Sequence, residues 1–168
     1  MGPVTLEITF TDAWTYDVGD EGVQEKRPLK KGGGVGPHVH GTLSIIVAGQ
    51  ALPMLGYFGP NDACLKDWAE ELSRAAKTVQ ASDPARYVYD EGEQGQPAFV
   101  FERKGATVEV SVGPSASGDS DGIPEWGVQP CTLEEFVAQV RRFLAEFGAA
   151  LDEASPGSAG KWLGKLKV

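Results

Sequence analysis

The sequence predicts an α+β protein: a mainly antiparallel sheet of five or six strands with two amphipathic helices packed on one face. Two stretches, starting at Leu65 and Leu133, repeat apolar residues at helical spacing, and several shorter ones alternate apolar and polar residues as half-buried strands do. Strands recur on both sides of the first helix, some joined by short turns, which suits antiparallel pairing. With 168 residues, 41% of them hydrophobic, the chain fits one core. We therefore expect one domain over residues 1–154 and a flexible basic tail over 155–168.

Val4, Leu6, Ile8 and Phe10 alternate with polar residues and open the chain as a strand. Residues 12–36 turn polar and then glycine-rich, which reads as a long loop with at most a short strand around Trp14 to Val18. "HGTLSIIVAG" gives a second strand and "ALPMLGYFG" a third, its start weakened by Pro53. Leu65, Trp68, Ala69, Leu72, Ala76 and Val79 then form the stripe of the first helix, with Asn61 or Asp62 placed to cap it and Asp83-Pro84 to end it. "RYVYD", "PAFVFER" and "ATVEVSV" return to strand, the last two joined by a turn containing Gly105.

Residues 113–130 have the composition of a loop, with a possible short strand at Trp126 to Gln129. Thr132 and Glu135 make a T-x-x-E capping box, flanked by Cys131 and Phe136 as a hydrophobic staple. The helix that follows carries Leu133, Val137, Val140, Leu144, Phe147 and Leu151, widened by Phe136 and Phe143.

The formal charge is -9, from 15 basic and 24 acidic residues, so phosphate backbones and anionic membranes would repel most of the surface. Neither nucleic acid nor membrane is an expected partner. Cys64 and Cys131, the two cysteines, show no CxxC spacing, the N-terminus does not read as a secretion signal, and no apolar run is long enough to span a bilayer. These features read as a cytoplasmic protein.

The chain's two histidines, His38 and His40, follow "GGGVGP" and stand at i and i+2, so a strand would aim both from one face. A zinc site with three protein ligands would need Cys64, Cys131 or an acid to complete it. The spacing from Gly32 resembles the start of the cupin metal motif, but Ser44 and Ile45 stand where its glutamate belongs. His38 and His40 are thus weak metal candidates, and no cofactor is expected. "GGGVG" lacks the GK[ST] of a phosphate loop, and "GDSDG" lacks the later ligands of a calcium loop. No hydrolase or other catalytic motif appears, so the chain reads as a non-enzyme.

Two loop regions mix aromatics with acids. "TDAWTYDVGDE" supplies Asp17, Asp20 and Glu21; "GDSDGIPEW" supplies Asp119, Asp121, Glu125 and Trp126. As a partner-binding surface they would favour a basic protein. Alternatively the aromatics pack inside and the acids only solvate the surface; Trp14 in particular extends the first strand's alternation and is expected in the core.

"GYFGPNDACLKDWAEEL", "AFVFERKGATVEVSV" and "TLEEFVAQVRRFLAEF" in succession resemble the small acidic α+β immunity proteins of bacterial polymorphic-toxin systems, including the WapI-like ones. The resemblance is one of pattern and covers roughly residues 52–150. It implies a non-enzymatic inhibitor that binds and neutralises a cognate protein toxin, a basic one where charge drives capture. Two other readings remain: a small-ligand or metal-binding protein built on His38 and His40, and a homo-oligomer formed through the strand edge at Val4 to Phe10.

Overall fold

The structure, a computed structural model, describes residues 5–18, 20–118 and 120–168, with the backbone alone for Val18 and Asp20. Val4 and Asp119 lie outside the described residues, as does the side chain of Asp20. The fold is α+β, with its antiparallel strands divided between two sheets. In the first, β2 (Gln24–Pro28), β1 (Leu6–Val18) and β3 (Val39–Val47) lie side by side, and both β4 (Gln50–Ala51) and β5 (Ala63–Cys64) pair with β3. The second runs β6 (Ala85–Asp90), β7 (Ala98–Lys104), β8 (Thr107–Gly113) and β9 (Gln129–Thr132) in sequence order. The helices are α1 (Leu65–Ala81), α2 (Leu133–Ala154) and α3 (Ser158–Leu163).

Instead of entering a loop at Asp12, β1 continues to Val18 through a bulge. Thr11 pairs with Thr42 and Trp14 with His40, so Asp12 and Ala13 together face the single residue Gly41. Asp12 takes a left-handed φ of 53° there. One extra residue reverses the alternation: Leu6 and Ile8 point inward before the bulge, Thr15 after it. Trp14 and Tyr16 consequently face outward, which overturns the expectation of a core Trp14. Gly41 suits this crossing, because a Cβ would crowd the Thr11 carbonyl oxygen at 3.0 Å and Leu65 Cδ1 at 3.1 Å.

Each long helix touches both sheets and shares one continuous core with them. α1 buries the predicted stripe of Leu65, Trp68, Ala69, Leu72, Ala76 and Val79, with Trp68 edge-on to Tyr89 and Phe99 at 4.8 and 5.0 Å. α2 sets Phe143 and Phe147 edge-on to Phe10 of β1, and Phe136 against Phe101 of β7. Its capping box is half formed. Thr132 Oγ1 accepts from the Glu135 amide at 3.0 Å, but the Glu135 carboxylate accepts from Thr5 instead of reaching back to Thr132.

That exchange occupies part of the strand edge through which self-association was expected. Glu135 takes the Thr5 amide at 2.9 Å and Gln139 Oε1 takes the Ile8 amide at 3.2 Å. Side chains of α2 thus occupy donors that a second copy would need.

Residues 155–168, expected as a flexible tail, contain α3, and Trp162, Leu163, Leu166 and Val168 pack against the core. Their apolar spacing was too short to stand out beside the glycines and lysines. The third predicted strand shrinks to Gln50–Ala51, since Pro53 has no amide to give and Met54 adopts a φ of 59°. Among the described residues, no helix is long and apolar enough to cross a membrane.

Candidate functional site

Behind the bulge, the outer face of the first sheet carries a rank of side chains that the sequence scatters over fifty residues. On β3, Val39, Gly41 and Leu43 are buried, so His40 lies on the opposite face. Trp14 stacks on His40 with ring centroids 4.8 Å apart, and Tyr16 stacks on His38 at 5.6 Å. Lys26 of β2 holds its ammonium 4.1 Å above the Trp14 ring. On the other side of β3, the short β5 places Cys64 directly opposite His40. One ligand atom from each of His38, His40 and Cys64 falls within 4.8 Å of the others.

Residues behind the cluster fix its orientation. Asp62 Oδ1 lies 2.5 Å from His40 Nδ1. An ionised carboxylate only accepts, so Nδ1 carries the hydrogen, and in the neutral imidazole Nε2 is the nitrogen with the lone pair. The chain entering His38 is held by Thr15, whose fully buried hydroxyl accepts from the Gly36 amide at 2.9 Å and donates to the His38 carbonyl at 2.7 Å. Gly36 can approach this closely because it has no side chain; a Cβ would lie 2.0 Å from the Tyr16 carbonyl oxygen. Farther back, the amides of Gly32 and Gly34 donate to the Glu153 and Ala154 carbonyls at the end of α2. The glycine-rich stretch therefore satisfies a helix C-terminus and delivers the histidines to the sheet.

Asn61 and Asp62, expected to cap α1, are drawn into this site. The Asn61 side chain accepts from Thr42 and its carbonyl from the Trp14 indole, while Asp62 holds His40. The helix starts later, with Cys64 as a cap residue whose side chain makes no capping hydrogen bond. Burial pushes the Cys64 thiol up to about 12, despite the Asp67 and Lys66 amides, and the Asp67 charge adds to the rise. At neutral pH it stays a thiol until a cation takes its proton's place.

The cluster lies where two surface depressions meet. One, of about 520 Å³, is walled by Trp14, Tyr16, Lys26 and the histidines. The other, of about 380 Å³, runs from His40, Asp62 and Cys64 beneath Tyr57 and Phe58. Besides Asp62 its walls carry Asp67, Glu70, Glu71, Asp90, Glu91 and Glu93, and, among the described residues, no lysine or arginine. Phe58 is 80% exposed and meets Tyr57, 41% exposed, edge to face at 4.6 Å. Some of these acids have partners: Arg74 pairs with Glu71 at 3.0 Å, and Asp90 accepts from Ser115 and Ala116. Glu91 accepts from the Tyr89 hydroxyl at 2.8 Å, yet its carboxyl is raised above the ordinary range by burial and by the charges of Asp67 and Glu93.

Of the acids predicted from the two loops, the described ones, Asp17 and Glu21 in one and Asp121 and Glu125 in the other, lie in separate segments. Asp17 is exposed and paired with Arg27 at 2.7 Å, whose hydrogen bond holds its carboxyl below the ordinary range. Glu21 is exposed beside it in sequence. Asp121 and Glu125 are exposed too, but in the loop next to Trp126. Trp126 itself is buried, 9% exposed, and donates its indole N–H to the Ala51 carbonyl at 2.8 Å. It anchors its loop to β4 and is not a free contact residue. Thr15 of the first region pairs with Val39, whereas Trp126 of the second is tied to Ala51, which pairs with Ile46, positions roughly 23 Å apart along β3 by strand rise.

The sequence offered His38 and His40 as weak metal candidates and left Cys64, Cys131 or an acid open as a third ligand; the structure brings Cys64 to them. It missed Phe58, Tyr57, Asp62 and Thr15 as parts of a site. "GYFG" was the available signal: two adjacent aromatics between glycines in a loop have little core to enter.

These observations define a class: an α+β protein with two antiparallel sheets, an outward cluster of metal-ligand residue types and an acid-lined groove topped by exposed aromatics. No family model, curated protein or solved structure matches the chain.

Proposed function

We propose that this protein is a non-enzymatic binding module, an immunity-like inhibitor that docks a basic protein toxin on the acidic groove beneath Phe58. The observation that supports it most is the exposure of Phe58, 80%, at the rim of a groove whose walls carry seven carboxylates and, among the described residues, no lysine or arginine. A large aromatic surrounded by charge has the form of an interface anchor. The ring gains by leaving water, while the surrounding charge selects and steers the partner. Glu91 adds to this reading. Burial, and then its neighbours' charges, make ionisation costly in the free protein, and a lysine or arginine entering the groove would offset the charge part of that cost. We propose this surface in preference to the loop acids first expected, because its acids line one groove whereas those are divided between two segments.

The test is affinity capture from the native organism, with wild-type bait and a Phe58→Ala/Glu70→Gln/Glu93→Gln variant, at low and high salt. The reading expects one basic protein held by wild type at low salt, released at high salt and lost from the variant. It also expects co-expression with the wild-type protein to protect cells from that partner. A partner retained equally by the variant would reject this surface. A retained partner that is acidic, or that is harmless when expressed alone, would reject the inhibitor reading.

A further inference from the structure

We infer that His38, His40 and Cys64 form a binding site for a single Zn²⁺-type transition-metal ion. The inference does not depend on the partner proposed above: His40, Asp62 and Cys64 line one end of the groove, but the argument uses their ligand chemistry and not the docking of a protein.

Three ligand atoms of suitable chemistry already lie within 4.8 Å of one another. Zinc bond lengths of about 2.0–2.3 Å place tetrahedral ligands about 3.5 Å apart, so closure asks for movements of about 1 Å. His38 is exposed and has the freedom to make them. Two imidazoles and a thiolate favour zinc and similar borderline ions over magnesium or calcium, which take oxygen donors. On binding, the Sγ–H bond of Cys64 breaks, its proton passes to solvent and a metal–sulfur bond forms in its place.

The surroundings distinguish this cluster from a chance meeting of side chains. Asp62 grips Nδ1 of His40 and so presents Nε2, the arrangement in which metal-ligating histidines are held by an outer carboxylate. Thr15 fixes the backbone at His38, and the β1 bulge turns Trp14 and Tyr16 out to stack on the two rings. Each imidazole thus lies against an aromatic neighbour before any ion arrives. Three protein ligands leave a fourth position for water, on the side shared by the two depressions.

The experiment uses the full chain, freed of metal, titrated with Zn²⁺ against a chromophoric chelator and separately with Co²⁺ as a spectroscopic probe. We expect one ion per chain, and for Co²⁺ a thiolate charge-transfer band with the visible absorption of a four-coordinate centre. Cys64→Ser should abolish the band, whereas Cys131→Ser should keep it. Asp62→Asn should weaken Zn²⁺ binding by about 10–100-fold, as expected for an outer partner, and His40→Ala by more. His38→Ala tests the site without threatening the fold, since the side chain is exposed. Zn²⁺ affinity unchanged in His38→Ala and Cys64→Ser, or Co²⁺ binding without a thiolate band, would overturn the inference.

Discussion

Both long helices begin beside a cysteine, and the two beginnings are built to different ends. At α2, Cys131 is buried, with its thiol 3.6 Å from the Val108 carbonyl, Thr132 caps the helix, and Glu135 ties the first turn to Thr5. At α1, Cys64 caps nothing, and Asn61 and Asp62 turn away to Trp14, Thr42 and His40. Burial raises both thiols to about 12, so thiol acidity does not separate them. What differs is where the nearby polar groups are spent. Those at α2 satisfy the helix and the adjoining strand, while those at α1 serve a surface and leave the helix start to be held by packing. Local rules are commonly broken at functional sites in this way.

The largest expected effect tests the packing at α2. Phe136, 1% exposed, follows the cap and meets Phe101 at 5.5 Å. Phe136→Ala should cost about 3–5 kcal/mol through lost burial and the cavity left behind, read as a fall in the urea midpoint. A loss near that of a lone cap, about 1 kcal/mol, would mean that α2 owes its position to Thr132 and Glu135 and not to the staple.

A smaller effect belongs to Glu135. Burial alone would raise its carboxyl, but hydrogen bonds from Thr5 and the Leu6 amide outweigh burial and hold it below the ordinary range. A depressed folded value stabilises above the unfolded value of 4.5, and the contribution is lost as pH falls through the folded value. Glu135→Gln should therefore cost about 1–2 kcal/mol at pH 7, with the gap from wild type closing at strongly acid pH. A gap that stays constant with pH would assign the loss to shape and not to charge.

The same contrast explains what could be read from the sequence. α2 and the β7–β8 hairpin were legible because each is long and regular, with Val108, Val110 and Val112 inside and polar residues between them. α1 was legible as a stripe but not at its start, because Asn61 and Asp62 look like caps to any reading that cannot see His40. The bulge left no mark, since a one-residue phase change in "TFTDAWTY" still offers Trp14 as the next term of the old alternation. β5 has two residues, too few for a period, yet it alone brings Cys64 opposite His40. The division into two sheets depends on which strands pair, and alternation says nothing of partners. Trp126 misled for a related reason: its loop composition is polar, but one indole hydrogen bond to Ala51 draws it inside.

The smallest effect carries the opposite sign and belongs to the α1 side. Burial and the charges of Asp67 and Glu93 raise Glu91 above the ordinary carboxyl range. Its stabilising contribution is complete below the unfolded value of 4.5 and is lost as pH rises through the folded value, so near neutrality the ionised group weighs against the fold. Glu91→Gln keeps an acceptor for the Tyr89 hydroxyl and removes the charge. The variant should therefore gain about 0.5 kcal/mol at pH 7, once the exposure of the groove is allowed for, and match wild type near pH 4. The same substitution should weaken capture of a basic partner, because it takes away a charge the partner would neutralise. Paired urea unfolding at the two pH values and capture at low salt measure the two effects. Stability gained together with binding lost would show that the strain at α1 belongs to the docking surface; a stability loss at pH 7 would mean that the Tyr89–Glu91 contact is structural, and that the two helix starts differ less in purpose than their capping suggests.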